Sequence, residues 1–199
     1  MSPTDRTDAL AGTLQEPRRR RVTSHRAIVE AATSLAARHG YNAVTIEAIA
    51  AKAGVGKQTI YRWWPGKAAL YAEVYGQLAA PEALRADTGT LAGDLKRLLL
   101  SLFRIYDATP AKEILAGLVA EAQSDPAALV ALRERLAWPR RDLLLDAVTR
   151  GRGRGELRPG IEPEAIVDVL SGAIWFRLLL GHAPLDQHYA TQLVRLVSP

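Results

Sequence analysis

The sequence predicts an all-α fold of about nine helices, in which an N-terminal three-helix unit precedes a C-terminal helical bundle. Three observations predict it. Apolar residues recur at helical spacing in segments that end at Gly or Pro. Residues 44–70 have the pattern of two short helices joined by a tight turn that contains Gly54. The chain of 199 residues is long enough for one or two small domains with a real core.

Composition restricts the class of protein. No apolar run approaches the roughly 18 residues that span a bilayer, and the N-terminus lacks the apolar core of a signal peptide. The absence of cysteine excludes disulfides and thiolate metal sites and fits a cytoplasmic location. Residues 1–67 hold 11 Lys/Arg against 5 Asp/Glu, whereas the other 132 residues have a balance of −1. Phosphate binding requires such a local excess of positive charge.

Residues 1–21 are predicted to form a disordered basic arm, because residues 1–17 are polar and aperiodic. Arg18 to Arg21 form a run of four arginines. This run could lie along phosphates or enter a minor groove, or it could be a solvated tail that adds only general attraction to DNA. Both interpretations stay open.

The first helix is predicted from about Ser24 to His39, with Gly40 ending it. Thr45 can cap the second helix, because its hydroxyl can accept from a free amide of the first turn. Gly54 ends the second helix, since only glycine takes a left-handed backbone at little cost. A third helix begins at about Lys57 and must end before Pro65.

The third helix has two different faces. With roughly 100° per residue, its inner side carries Ile60, Trp63 and Trp64. Its outer side carries Lys57, Gln58, Tyr61 and Arg62, with Thr59 at the border. These outer groups are the ones that contact base edges and phosphates in a major groove. An ordinary surface helix would more often carry acids, and none occurs between Ala48 and Ala72.

The segment GYNAVTIEAIAAKAGVGKQTIYRWWPGKAAL resembles the DNA-binding segment of the tetracycline-repressor (TetR) family of regulators. The likeness covers about residues 26–75. It departs from the family at Gly56, where a serine often caps the recognition helix, and at Gly66, where serine is also frequent. The matching residues are Gly40-Tyr41, Thr45, Ile49-Ala50, Ala53-Gly54-Val55, Thr59-Ile60-Tyr61 and Lys67.

Residues 22–80 are therefore predicted to be a helix-turn-helix DNA-binding domain with a linking helix that begins at Lys67. The free amides and dipole at that helix start favour an anion such as a phosphate. We expect base contacts from Lys57, Gln58 and Thr59 and phosphate contacts from Thr45, Tyr61 and Lys67. Arg62 could make either contact, and the indole N–H of Trp63 could reach a phosphate.

Residues 81–199 are predicted to be a ligand-binding and dimerisation domain that follows a polar connection over residues 81–90. Pro139 is expected to kink or split one of its helices. Residues 151–160, GRGRGELRPG, are predicted to be a loop. The helices are predicted over about 90–108, 110–124, 126 to that loop, 162–181 and 186–197.

The helix over 162–181 is apolar nearly all round. Such a helix must be buried on every side, and a second copy of the chain is the simplest cover for its outer side. The alternative is a core helix in a monomer. The predicted homodimer interface contains Leu170, Gly172, Ala173, Ile174, Arg177 and Leu193.

Residues 114–185 resemble the C-terminal ligand and dimerisation domain of one TetR subgroup, above all in GELRP and WFRLLLGHAPL. The resemblance implies a small-molecule effector. Aromatic residues on several helices line apolar cavities as well as plain cores. The predicted pocket contains Phe103, Tyr106, Leu118, Glu121, Trp138 and Trp175, with Phe103, Trp138 and Trp175 bounding a hydrophobic or aromatic effector.

The sequence has no His-plus-Glu metal motif, no Gly-rich phosphate loop after a strand and no cysteine nucleophile. We therefore expect neither an enzyme nor a cofactor. Two other classes stay open. A small helical enzyme would keep its turnover without residues 1–80, and a protein-binding adaptor would show no salt-dependent affinity for DNA.

The function we predict is that of a sequence-specific transcriptional regulator, a repressor that binds a palindromic double-stranded operator as a homodimer. A small molecule in the C-terminal domain would release it from DNA. No membrane partner is expected.

Overall fold

The computed structural model describes residues 4–80 and 86–198, with side chains from residue 22 onward. All regular structure in these residues is helical, as predicted. A π-helical turn, Arg133–Ala137, joins the helix Pro126–Leu132 to the helix Trp138–Gly153 without a break. The helices are α1 (Thr4–Ala43), α2 (Ile46–Ala53), α3 (Lys57–Tyr61), α4 (Lys67–Leu78), α5 (Leu91–Ala108), α6 (Ala111–Ala122), α7 (Pro126–Leu132), α8 (Trp138–Gly153), α9 (Pro163–Leu180) and α10 (Gln187–Val197).

Helix α1 begins at Thr4, so the prediction of a disordered arm is wrong for the backbone of residues 4–21. The Ala, Leu, Gln, Glu and Arg residues of this stretch have high helix propensity, and extending a formed helix needs no second nucleation. The structure describes only the backbone of Arg18 to Arg21, not their side chains. Residues 1–3 lie outside the described residues. A contact of these arginines with DNA stays a prediction.

Gly40 interrupts the end of α1 with φ 72° and ψ 165°. This positive φ is the conformation for which glycine was expected there. The turn directs Tyr41 and Val44 into the core, where both are buried.

Helix α4 lies in the core of both predicted domains. Tyr71 is buried and donates its hydroxyl hydrogen to the carbonyl of Ala32 in α1 at 3.1 Å. One turn later the hydroxyl of Tyr75 lies 2.9 Å from that of Tyr106 in α5. One hydrophobic cluster therefore extends from α1 through α4 into the C-terminal bundle. Residues 81–85, at the predicted domain boundary, lie outside the described residues.

Helix α6 packs directly against α1 and α4. A Cβ added to Gly117 would collide with the ring of Tyr41, so this close approach requires glycine at that position. The C-terminal domain is thus fixed to the end of α1 at Tyr41, 16 positions before α3 begins at Lys57.

The predicted disruption around Pro139 takes the form of the π-helical turn. Proline lacks an N–H group and cannot continue the regular hydrogen-bond pattern. The chain responds by widening one turn, in which the Trp138 N–H donates to the carbonyl of Arg133, five residues earlier. The helical hydrogen bonding therefore continues past Pro139.

Asp94 anchors the start of the C-terminal domain. Its carboxylate is fully buried and accepts from the backbone N–H of Thr88 at 2.6 Å and from the Arg150 guanidinium at 3.1 Å. Burial alone would raise the pKa of Asp94, but the hydrogen bonds from Thr88 and the charge of Arg150 lower it below its ordinary value. Arg150 also donates to the carbonyl of Ala86 at 2.6 Å, which ties the segment before α5 to α8.

Among the described helices, none has both the length and the apolar character of a membrane span. In the same residues, no three His, Asp or Glu side chains are grouped to hold a metal ion.

Candidate DNA-binding, effector and dimerisation sites

Two caps fix the turn between α2 and α3. The Thr45 hydroxyl accepts from the Ala48 N–H at 3.2 Å at the start of α2. Gly54 ends α2 in the left-handed conformation, with φ 66° and ψ 33°. Both features follow the sequence-based prediction. Together they determine the orientation of α3 relative to α2.

Helix α3 is shorter than predicted. Only residues Lys57–Tyr61 are regular, although the Arg62 N–H still donates to the carbonyl of Gln58 at 3.1 Å. Gly56 supplies no side-chain cap at the start. Pro65 disfavours helical geometry in the residue before it. These two ends leave about one and a half turns for recognition.

The orientation of α3 agrees with the predicted helical wheel except at Trp63, which the wheel placed on the inner side and which is 39% exposed. Ile60 is fully buried and Trp64 is 1% exposed. Gln58, Tyr61 and Arg62 are exposed. Within the described part of the chain, their side chains form no hydrogen bond or ion pair. An amide, a phenol and a guanidinium are therefore free to contact DNA. Gln pairs with the major-groove edge of adenine and Arg with guanine or phosphate.

Lys57 is paired with an acid that the wheel did not reveal. Its ammonium lies 3.0 Å from a carboxylate oxygen of Glu47 in α2. The pKa of Glu47 is lowered by a hydrogen bond from its own backbone N–H and by Lys57. Both side chains are more than half exposed, so the pair is weak. A phosphate or base can displace Glu47 from Lys57 at little cost.

Trp63 and Trp64 have different environments. The Trp64 indole N–H donates to Glu73 in α4 at 2.9 Å, which fixes the ring inside the core. Trp63 is 39% exposed, and its ring contacts that of His25 at a centroid distance of 5.0 Å. His25 in turn lies 3.0 Å from Glu73. His25 in α1 therefore supports the rings of both tryptophans.

Lys67 does not point away from the protein as a phosphate-binding side chain would. Its ammonium lies 4.2 Å above the ring of Tyr41 and 3.9 Å from a carboxylate oxygen of Glu121 in α6. The Tyr41 hydroxyl donates to the same Glu121 oxygen at 2.6 Å. We call Tyr41, Lys67 and Glu121 the interdomain joint. The joint connects the start of α4 to the C-terminal domain.

A cavity of about 260 Å³ lies between α4, α5, α8 and α9. Two of the predicted pocket residues, Tyr106 and Trp175, line it. The sequence did not single out Tyr75, Arg140 or Arg141, which also line it. Arg140 and Arg141 belong to a polar stretch after Pro139, and Tyr75 belongs to the predicted linking helix. The other lining residues are Leu102, Leu115, Leu136, Ala137, Leu144, Asp168, Ser171, Gly172 and Ile174.

The predicted grouping of Phe103, Trp138 and Trp175 around one cavity is wrong. Phe103 is buried beside a separate surface groove that includes Asp107. Trp138 is 52% exposed at the start of α8, directly after the π-helical turn, and does not line the cavity. Among the other predicted pocket residues, Leu118 is fully buried in the core and Glu121 belongs to the interdomain joint.

Three residues of the predicted dimer interface face the protomer's own core. Leu170, Ile174 and Leu193 are each at most 2% exposed, so they are not available to a partner. The reason is that α9 is apolar all round, and the sequence did not show which stripe the protomer itself buries. Ala173 and Arg177 are half-buried, and the Arg177 guanidinium stacks on Tyr189 at 3.3 Å.

The free stripe of α9 is also apolar. We call the exposed residues Val169, Gly172, Phe176, Leu180 and Leu196 the apolar face. The first four recur at intervals of three or four along α9, and Leu196 comes from α10. Phe176 is 58% exposed at the middle of the stripe. Large apolar residues in one contiguous stripe are typical of a protein–protein contact.

The sequence matches two families of known proteins. Residues 28–74 match "Bacterial regulatory proteins, tetR family". Residues 85–197 match "Tetracyclin repressor-like, C-terminal domain". Both matched segments are parts of transcriptional regulators, which are not enzymes.

Similar proteins cover most of the chain. The HTH-type transcriptional regulator YdeS of Bacillus subtilis (strain 168), itself uncharacterized, is 31% identical over 86% of each chain. The DNA-binding transcriptional repressor TetR of Mycobacteroides abscessus is 31% identical over 86% of this chain and 90% of its own. The crystal structure of the TetR family transcription regulator SCO0332 superposes with a TM-score of 0.72 at 32% identity, over 86% of this chain and 94% of that one.

Proposed function

Because the chain belongs to the TetR family of bacterial regulators, we propose that it is a homodimeric repressor that a small-molecule effector releases from a palindromic operator. The observation that carries this proposal is the exposed face of α3. Gln58, Tyr61 and Arg62 project from a short helix whose other side is held by buried Ile60 and Trp64. A regulator that binds the bacterial chromosome works in the cytoplasm.

The proposed DNA contacts divide by chemistry. Lys57, Gln58 and Thr59 contact bases, with Lys57 exchanging Glu47 for the DNA. Tyr61 and the indole N–H of Trp63 contact phosphates, and Arg62 contacts either. Phosphate contacts position the protein, whereas base contacts specify the sequence. The Thr45 hydroxyl accepts from the Ala48 N–H and donates to the Glu47 carboxylate, so a phosphate contact would replace Glu47 as the acceptor.

Substitutions at Gln58 and Tyr61 test this division. Gln58→Ala should relax preference at one base step, by about 1–3 kcal/mol if the amide makes two hydrogen bonds to adenine. Tyr61→Phe removes one hydroxyl and keeps the ring, so it should weaken operator and random DNA by the same factor. Titration of both duplexes by fluorescence anisotropy measures the difference. The assignment is wrong if both substitutions lower specific and random binding equally.

We propose that the apolar face is the dimer interface. Two protomers related by a twofold axis would cover each other's α9 and α10 and place two α3 helices on successive major grooves. Half-sites of helix-turn-helix dimers are separated by about 34–36 Å or a multiple of it. An operator with inverted symmetry follows from this arrangement.

Helix α4 provides the route from the cavity to DNA. Tyr75 lines the cavity near the end of α4, and Lys67 begins the same helix in the interdomain joint. An effector that changes the position of α4 would change the distance between the two α3 helices. Such an effector must bind the released conformation more tightly than the DNA-bound one, since equal affinity would shift nothing.

A substitution in the interdomain joint tests whether Lys67 is held back from DNA. Glu121→Gln keeps the shape of the side chain and removes the charge that faces Lys67. The freed ammonium should strengthen binding to operator and random DNA alike, by on the order of 1 kcal/mol. Glu113→Gln is the matched control. Glu113 is exposed on the same helix, and its substitution changes the net charge of the protein by the same amount as Glu121→Gln. An equal gain in both variants would show a general charge effect and exclude a role for the joint.

A further inference from the structure

We propose that the cavity between α4, α5, α8 and α9 takes a small apolar acid, whose single carboxylate binds the guanidinium of Arg140. The inference rests on the proposed effector function and specifies the class of effector. It depends on two groups of donors in the cavity wall, on the apolar remainder of that wall and on the volume enclosed.

Arg140 is the first donor. One of its terminal nitrogens donates to the carbonyl of Ala79 at 2.9 Å and the other to the carbonyl of Leu136 at 3.4 Å. Its Nε is buried and has no hydrogen-bond partner among the described residues. No carboxylate of those residues forms an ion pair with Arg140. A partly buried guanidinium without a counter-ion is unfavourable, and a bound carboxylate would remove this cost.

The charges around Arg140 leave the cavity positive. Two arginines and one acid line it, and Arg141 lies 3.8 Å from that acid, Asp168. Asp168 is therefore already paired with Arg141, while Arg140 is not neutralised. A ligand with one negative charge fits this balance, whereas a cation would meet an unpaired guanidinium.

The hydroxyls of Tyr75 and Tyr106 are the second donor group. They lie 2.9 Å apart, and neither has another hydrogen-bond partner among the described residues. One hydroxyl donates to the other, so the acceptor still has its own hydrogen to donate. Burial raises the pKa of both tyrosines, which keeps both protonated. The cavity wall thus presents a neutral donor in addition to the guanidinium.

The rest of the wall sets the size and character of the ligand. It is mainly leucine, isoleucine and the ring of Trp175, which suit an aliphatic or aromatic body. The volume of about 260 Å³ is just below the range of about 300–1,000 Å³ that is usual for ligand sites. An aromatic acid or a medium-chain aliphatic acid fits this description.

The position of Arg140 also explains how such an acid would act. The carbonyl of Ala79 belongs to the C-cap of α4, and the Arg140 guanidinium lies 4.2 Å from the ring of Tyr75 in that helix. Arg140 therefore holds the end of α4 against α8. A carboxylate that draws the guanidinium into the cavity would weaken this hold and allow α4 to move.

Paired probes test the proposal on the full-length protein. Octanoate, decanoate, benzoate and 2-naphthoate would be compared with the corresponding neutral amides by isothermal titration calorimetry. We expect at least one acid to bind at least tenfold more tightly than its amide. Equal affinity for each acid and its amide, or no binding by any of the four acids, would overturn the inference.

Arg140→Met tests the assigned donor. This substitution should lower the affinity for the acid at least tenfold and leave that for the amide unchanged. Arg133→Met, at an exposed position in the π-helical turn, makes the same change in net charge and should bind the acid like the wild type. Unchanged acid affinity in Arg140→Met would overturn the assignment. If Arg140→Met does not fold, Tyr106→Phe replaces it as the donor test and should weaken acid binding severalfold.

Operator binding by the ligand-free protein would be measured separately. Its absence would contradict the proposed function, whereas normal operator binding without acid preference would contradict only the inference about the effector.

Discussion

Replacing Trp64 by alanine should lower the free energy of unfolding by about 3–5 kcal/mol, the usual cost of removing a large buried aromatic side chain. Trp64 is 1% exposed, and its indole N–H donates to Glu73 at 2.9 Å. The substitution therefore creates a cavity in the core and removes a hydrogen-bond donor of the Glu73 carboxylate. The core of residues 22–80 should lose its structure first, and with it DNA binding. Urea denaturation followed by far-ultraviolet circular dichroism measures the change.

Trp63→Ala is the matched control, because the neighbouring tryptophan is 39% exposed. It should cost much less stability and reduce DNA affinity through the lost indole N–H. If Trp64→Ala remained as stable as the wild type and bound DNA normally, the orientation of α3 would be wrong.

A charge on the apolar face should convert the dimer to monomers. Phe176→Glu places a carboxylate at the middle of the exposed stripe of α9, where the isolated protomer tolerates it because the position faces solvent. Sedimentation should show a single-chain mass. Operator affinity should fall by about 10²-fold or more, because two linked half-site contacts bind far more tightly than one.

Val130→Glu is the control for this result. Val130 is 51% exposed on α7, outside the apolar face. It should leave both mass and operator affinity unchanged. A substitution at Gly172 would test the dimer interface less selectively than Phe176→Glu, because Gly172 also lines the cavity. A dimeric Phe176→Glu protein would place the interface elsewhere on the surface.

Local features of the DNA-binding domain could be predicted from sequence. The caps at Thr45 and Gly54 and the two faces of α3 depend on residues within a few positions of each other. The backbone geometry of a helix then determines which side chains point outward. The wheel placed Ile60 and Trp64 inside and Gln58, Tyr61 and Arg62 outside, as the structure does.

Contacts between distant residues could not be predicted in this way. Tyr41 and Glu121 are 80 positions apart, and only the packing of α6 on the end of α1 brings them together. The Lys57–Glu47 pair was missed because the acid lies on α2, outside the wheel of α3.

The cavity and the dimer face show the same limit. Arg140 lines the cavity because a π-helical turn determines the rotation of α8, and periodicity does not reveal that turn. In α9, apolar residues on every side left the division between the protomer core and the outer stripe undetermined. Leu170 and Phe176 are equally apolar in the sequence, yet one is fully buried and the other is 58% exposed.

Recovery of genomic DNA fragments bound by the purified protein tests the DNA-binding dimer most directly. The bound fragments should share an inverted repeat whose half-sites are centred about 10–10.5 base pairs, or a multiple of that, apart. Their affinity should fall linearly with the logarithm of salt concentration. Fragments without a common inverted repeat, or an affinity that salt does not change, would contradict the account.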